Sequence, residues 1–184
     1  MTCIVGYCEG GKVWMGSDSM ACRSGCKIII DYPKISIIEN DEGDSILIGG
    51  GGSLRELMIV KHSFELPTNS RKDDMEFVLL DVVLEIENCL TVNKSSATAN
   101  ENFNCLTDFL IGYHGKLYHI ACDGGVLSES LCYASEGSGG EVATGAMYAV
   151  CQDAITPEEK IIIALEASAR HVDSVSAPFH ILSI

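Results

Sequence analysis

Hydrophobic and polar residues alternate in short stretches along the chain, and this period of two is typical of β-strands. Two such stretches, Ile4 to Cys8 and Val13 to Gly16, flank Glu9-Gly10-Gly11 and predict a β-hairpin at the start of the chain. Further strands are predicted over residues 27–30, 35–38, 45–48, 107–113, 116–121, 131–134 and 179–184.

Other stretches carry apolar residues at the spacing of an amphipathic α-helix. They predict helices over residues 54–62, 73–90, 140–150 and 156–170. The last of these has a clear start, because Thr156 can cap the helix, Pro157 suits its first position and Glu159 completes a capping box. Residues 92–104 are polar and alanine-rich, and they predict an exposed loop.

The order of these elements is strands, two helices, strands, two helices and a final strand. This order differs from the βαβ alternation of a parallel sheet and predicts an α+β fold, with two antiparallel sheets packed face to face and a helix pair on each outer side. At 184 residues the chain fits one domain, residues 1–184, that buries a sizeable core.

The amino-acid composition and net charge argue against some classes of function. The chain is 47% hydrophobic and 21% charged, as expected of a globular protein, and its net charge of −14 argues against a nucleic-acid partner. No apolar run approaches the roughly 20 residues of a membrane span, and the start lacks the features of a signal peptide. We therefore expect a cytoplasmic protein with no membrane association.

Nine cysteines are many for this length, and an odd number cannot all pair. Without a secretion signal we expect them to be reduced and mostly buried. Cys22 and Cys26 are the closest pair, and no second Cys or His pair has zinc-site spacing. We therefore predict no metal and no other cofactor.

The candidate chemistry begins at Thr2. If Met1 is removed, Thr2 becomes the N-terminal residue, and its hydroxyl can attack a substrate while its own α-amino group accepts the proton. The unperturbed pKa of an α-amino group is about 7.7 to 8.0, so a useful fraction is the free base near neutral pH. Threonine is also a common second residue with no catalytic role, so Thr2 alone decides nothing.

Two charged residues strengthen this interpretation. The predicted hairpin returns the chain beside its own start, so Asp18 can lie near Thr2. Lys34 follows Pro33 at the start of another apolar run. A buried lysine beside Asp18 would hold positive charge near the Thr2 amino group and favour its neutral, proton-accepting form.

Thr2, Asp18 and Lys34 resemble the catalytic threonine, aspartate and lysine of the proteasome β-subunit and HslV peptidase family. Asp18 and Lys34 follow Thr2 at separations of 16 and 32 residues. Members of this family are N-terminal nucleophile (Ntn) hydrolases. The single residue before Thr2 resembles the HslV branch, or its compact bacterial and phage relatives, more than a proteasome subunit with a long leader.

Three further segments resemble the family and occur in its order, so that the resemblance covers nearly the whole chain: the glycine run at 49–52, Gly-Ser-Gly-Gly at 137–140 and Asp-Ser-Val-Ser at 173–176. The resemblance implies an oxyanion amide from the first, for which Gly51 is the expected donor and Gly50 and Gly52 are alternatives. It also implies that Ser138 lies near the nucleophile, and that Asp173 and Ser176 orient the terminal amine.

Two of these segments also have a simpler explanation. The glycines suit a flexible strand-to-helix turn, and Ser138 suits the cap of the following helix. Ala177 stands where the family has a glycine after Ser176.

The resemblance implies a four-layer αββα sandwich, the Ntn-hydrolase fold, and a threonine peptidase that cleaves polypeptide substrates through an acyl-enzyme ester. It further implies a homo-oligomeric ring that encloses a chamber and is served by an ATPase unfoldase. Two alternatives remain open: a catalytically silent shell or assembly protein of the same fold, and an Ntn amidase that acts on a small substrate.

Overall fold

A computed structural model describes residues 1–93 and 105–184, and its architecture is α+β. The strands are β1 (Ile4–Glu9), β2 (Lys12–Ser17), β3 (Met20–Arg23), β4 (Cys26–Ile29), β5 (Ile35–Glu39), β6 (Ser45–Gly51), β7 (Asp108–Tyr113), β8 (Lys116–Ile120), β9 (Val126–Ser128), β10 (Tyr133–Glu136) and β11 (His180–Ser183). The helices are α1 (Leu54–Ser63), α2 (Asp74–Phe77), α3 (Val83–Val92), α4 (Gly140–Val150) and α5 (Pro157–His171). A π-helical turn, Val78–Val82, joins α2 to α3, so the two form one continuous helix.

Two antiparallel sheets carry most of the strands. The first has the order β10-β1-β2-β11, and the second has the order β5-β6-β7-β8-β9. The predicted hairpin forms the centre of the first sheet, with Ile4 opposite Ser17 and Glu9 opposite Lys12. Strands β3 and β4 form a separate two-stranded antiparallel sheet. The register of the hairpin brings the residues after Ser17 back to the start of the chain.

Three hydrophobic cores separate four layers. Between the two sheets lie residues from both, among them Ile4, Met15, Leu47 and Leu110. The first sheet packs its other face against α4 and α5 through residues such as Val5, Met147 and Leu165. The second sheet packs its other face against α1 and the α2–α3 helix through residues such as Ile48, Val60, Ile86 and Phe109. The layers therefore follow the predicted order αββα.

Helix ends follow the local sequence. Thr156 caps α5 in a capping box with Glu159, and Ser53 caps α1 by accepting a hydrogen bond from the Glu56 amide. Sequence patterns missed β3 and β9, which have four and three residues and are too short to show a period. They also placed β10 two residues early, because Leu131 precedes the paired stretch that begins at Tyr133.

Of the predicted loop over 92–104, residues 94–104 lie outside the described part of the chain, while Val92 ends α3. Within residues 1–93 and 105–184, none of the helices has the length and apolar character needed to cross a membrane. All nine cysteines are free thiols.

Candidate active site

Asp18 lies at the end of the N-terminal hairpin, completely buried beside the start of β1. The backbone amide of Asp18 donates to the carbonyl of Cys3 at 3.2 Å. In return, the Cys3 amide donates to Asp18 Oδ1 at 3.0 Å. The other carboxylate oxygen accepts from the amides of Met20, at 2.9 Å, and Ser176, at 3.3 Å. A buried carboxylate held by several donors is a rigid anchor for a neighbouring cation.

Lys34, which directly precedes β5, is that cation. Its Nζ donates to Asp18 Oδ1 at 2.7 Å and to the Met20 carbonyl at 2.6 Å, and the residue is only 3% exposed. Burial lowers the pKa of Lys34 below its ordinary value, while the charge of Asp18 acts in the opposite direction. The site therefore contains a desolvated ammonium group paired with one carboxylate.

The Thr2 side chain and the Lys34 ammonium meet at one atom, the carbonyl oxygen of Met1. The Thr2 hydroxyl donates to this oxygen, and Lys34 Nζ donates to it at 3.3 Å. In the structure the nitrogen of Thr2 is a peptide amide, because Met1 precedes it. This nitrogen donates to Ser138 Oγ at 3.2 Å.

A glycine-rich loop between β10 and α4 covers the other side of Thr2. Gly139 donates its amide to the Thr2 carbonyl at 3.1 Å, and Ser138 Oγ lies 3.3 Å from the same oxygen. Gly137 has a φ of 89°, a conformation that favours glycine, and a Cβ placed on it would lie 2.5 Å from the Thr2 carbonyl oxygen. The close approach of this loop to Thr2 therefore requires glycine at position 137.

Ser174 is a site residue that the sequence interpretation missed. Its hydroxyl lies 2.8 Å from Ser138 Oγ, and the residue is buried. Ser138 has one hydroxyl proton, so when it donates to Thr2 its oxygen can accept from Ser174. The only sequence signal was the presence of two serines in the segment Asp173 to Ser176, of which the resemblance selected the second.

Asp173 and Ser176 do not lie where their expected roles would place them. Asp173 is exposed in the turn after α5. Ser176 docks its backbone beside Asp18, while its hydroxyl accepts from Lys27 Nζ at 2.7 Å, away from Ser138. The physical reason is the turn: Val175 packs into the core below α4 and α5, so its neighbour Ser174 faces Ser138.

A cavity of about 130 Å³ opens beside Thr2 and Lys34. It is lined by Met1, Thr2, Met20, Ala21, Cys22, Lys34, Gly50, Gly52, Ser53, Leu54 and Leu57. Gly51 is outside this lining, and a Cβ on it would lie 2.8 Å from Gly137 Cα. Gly50 comes one residue after Gly49, which pairs with Ile35, and so lies level with Lys34.

Cys3 is the other nucleophilic side chain near Thr2. It points into the core below α4 and α5, where its Sγ lies 3.5 Å from Ser168 Oγ. Burial raises the pKa of Cys3 to about 11, so the thiol stays protonated near neutral pH. Among the described residues, no three His, Cys, Asp or Glu side chains are arranged to hold a metal ion.

Comparisons with known proteins agree on the fold. No protein-family model and no curated protein sequence matches the chain. Solved structures do: BPH from Thiobacillus denitrificans in complex with epoxomicin matches at a TM-score of 0.79 and 19% identity, over 100% of this chain and 98% of that one. Eukaryotic HslV from Trypanosoma brucei matches at a TM-score of 0.68 and 16% identity, over 99% of this chain and 98% of that one. Anbu (ancestral β-subunit) from Yersinia bercovieri matches at a TM-score of 0.69 and 14% identity, over 99% of this chain and 81% of that one. The described residues of the chain therefore have the fold that these proteins share, the Ntn-hydrolase fold.

Proposed function

We propose that this protein is a threonine peptidase whose nucleophile is Thr2 after removal of Met1. One observation carries the proposal: the Thr2 hydroxyl and the Lys34 ammonium converge on a single carbonyl oxygen, that of Met1. The two groups are therefore close enough to act on one substrate carbonyl. Removal of Met1 would free that position for substrate and convert the Thr2 amide into the amine that serves as base.

The reaction would proceed in two steps. Thr2 Oγ attacks the carbonyl carbon of the scissile bond, and the α-amino group takes the hydroxyl proton and passes it to the leaving nitrogen. The product of this step is an ester on Thr2. A water molecule then hydrolyses the ester, with the same amine as base, and releases the second peptide.

The surrounding residues would have separate roles. Lys34 would keep positive charge near the amine and so favour its neutral form, while Asp18 holds Lys34 in place. Ser138, supported by Ser174, would orient the amine. We assign the oxyanion amide to Gly50 rather than Gly51, because Gly50 lines the cavity beside Thr2 and lies level with Lys34.

The cavity also supports a preference among substrates. Apart from Lys34, its side-chain walls include the apolar Met20, Ala21, Leu54 and Leu57. We therefore propose that an uncharged, apolar residue precedes the bond that is cleaved. The complex of the structurally similar BPH with epoxomicin supports the use of an epoxyketone as a probe for this site.

We also propose that the protein forms a homo-oligomer. Leu79, Leu80 and Leu84 are about half exposed on the outer α2–α3 helix, where a second copy could cover them. Their exposure supports the assembly of several copies of the chain.

The test is the intact mass of the protein before and after treatment with a peptide epoxyketone, together with the rate of peptide cleavage. We expect wild type to lack the mass of Met1 and to gain one adduct. Thr2→Ala should gain none and lose at least about a thousandfold in cleavage rate. Thr2→Ser should retain part of the rate, and Thr68→Ala, in an exposed loop, should match wild type.

Three other results would support a different function or a different nucleophile. Retained Met1 with no adduct would support the silent shell protein of the same fold. Cleavage of small amides but not of peptides, by a monomeric protein, would support the small-substrate amidase. A fully active Thr2→Ala variant would exclude Thr2 as the nucleophile.

A further inference from the structure

Glu136 is the last residue of β10 and directly precedes the glycine-rich loop that covers Thr2. Strand pairing sets it opposite Ile4, two residues after the candidate nucleophile. We propose that Glu136 is a positioning residue, held by His119, which orients the Gly137–Gly139 loop against Thr2. The proposal rests on the peptidase function proposed above, because the loop carries the groups that contact Thr2.

One oxygen of Glu136 holds the loop directly. Oε1 accepts the Gly137 amide at 2.7 Å. Gly137 is confined on both sides, since a Cβ on it would lie 2.5 Å from the Thr2 carbonyl oxygen and a Cβ on Gly51 would lie 2.8 Å from Gly137 Cα. The orientation of this one peptide therefore determines where Ser138 Oγ and the Gly139 amide meet Thr2.

The other oxygen of Glu136 is held by a histidine from the second sheet. Oε2 lies 3.4 Å from His119 Nδ1, and the opposite ring nitrogen of His119 lies 3.1 Å from Glu129 Oε1. Asp108 of β7 lines the same cavity as these three residues. The charged groups around His119 in the described part of the chain are thus acidic, and together they favour the imidazolium form.

The pKa shifts agree with this geometry. The hydrogen bond to Glu136 raises the pKa of His119 above its ordinary value, although burial acts against this. Burial by itself would raise the pKa of Glu136, but hydrogen bonds from His119 and from the Gly137 amide lower it below its ordinary value. The charged pair is therefore present between the pKa of Glu136 and that of His119, and it is lost as the pH rises through the pKa of His119.

The first experiment compares kcat and KM for peptide cleavage near neutral pH. We expect Glu136→Ala to lower kcat about tenfold with little change in KM, a fraction of the roughly hundredfold cost of a 1 Å misplacement. Glu136→Gln should recover part of the loss, because its amide oxygen can still accept from Gly137. Glu39→Gln, at an exposed position of β5 outside this network, is the matched control and should stay within about twofold of wild type.

Three results would overturn the proposal: an unchanged kcat for Glu136→Ala, a loss confined to KM, or an equal loss for the control variant Glu39→Gln. If Glu136→Ala does not fold, Glu136→Gln decides in its place. A Glu136→Gln kcat equal to wild type at every pH would then contradict a role for the charged pair.

The second experiment follows the ratio of the wild-type kcat to that of His119→Gln from about pH 6 to about pH 9. The Thr2 amine and Lys34 ionise in both proteins, so their contributions cancel in the ratio. We expect the ratio to exceed one at the acidic end and to approach one as His119 loses its proton. A flat ratio would mean that His119 is only structural.

A third measurement separates this proposal from the function on which it rests. If wild type reacts neither with a peptide nor with the epoxyketone, the peptidase function fails. Hydrogen exchange of the amides of residues 137–139, compared at one pH in wild type and Glu136→Gln, then tests the loop contact alone. Faster exchange in the variant would support it, and equal exchange would overturn it.

Discussion

Two ion pairs of this protein have nearly the same length and opposite surroundings. Lys34 lies 2.7 Å from Asp18, and their side chains are 2% and 0% exposed, whereas Arg71 lies 2.6 Å from Asp81 with side chains 36% and 28% exposed. Burial lowers the pKa of Lys34 despite its partner, while the hydrogen bond to Asp81 raises the pKa of Arg71. The comparison teaches that solvent access, more than distance, decides the effect of a pair: desolvation lowers the pKa of the buried lysine, whereas water screens the exposed pair.

Removing the buried cation should have the largest effect. We expect Lys34→Met to slow epoxyketone labelling of Thr2 by at least about a hundredfold, because the positive charge that favours the neutral amine is lost. The measurement is the rate of adduct formation by intact mass. Lys12→Met, at an exposed position of β2, is the matched control and should label at the wild-type rate. An unchanged rate in Lys34→Met would remove Lys34 from the site.

Neutralising the buried anion should cost stability. We expect Asp18→Asn to lower the free energy of unfolding by about 3–5 kcal/mol, since it leaves Lys34 buried without a countercharge. Urea denaturation at one protein concentration measures this. The double variant Asp18→Asn/Lys34→Met sharpens the test, because the two changes should cost less together than the sum of the single costs. Strict additivity would mean that the two charges do not stabilise each other.

Breaking the exposed pair should have the smallest effect. We expect Arg71→Ala to leave both the urea midpoint and the labelling rate of Thr2 at wild-type values, because water solvates Asp81 when its partner is absent. A loss of stability comparable with that of Asp18→Asn would contradict the expectation that an exposed pair stabilises the fold less than a buried one. It would show that the loop before α2 depends on this pair.

Within the site, local and distant contacts differed in how well they could be predicted. The approach of Asp18 to Thr2 follows from a two-residue hairpin turn, so the sequence was sufficient to anticipate it. Lys34 lies beyond β3 and β4, and it was anticipated through the family resemblance. Ser174 and Glu136 could not be anticipated in the same way. Ser174 reaches Ser138 from 36 positions further along the chain, and Glu136 is placed by its pairing with Ile4 of the first strand. Both positions therefore depend on how elements that are distant in sequence pack together.

The sequence by itself determined the class of fold, because alternating and helical periods, a capping box and glycine turns each act over a few residues. It also indicated Thr2 as the candidate nucleophile and Asp18 and Lys34 as the charged residues beside it. Only the tertiary structure decided that Ser174 contacts Ser138 and that Gly50 and Gly52, but not Gly51, line the cavity. A run of four glycines or a pair of serines carries no side-chain pattern to set its register, and only packing between layers chooses among them.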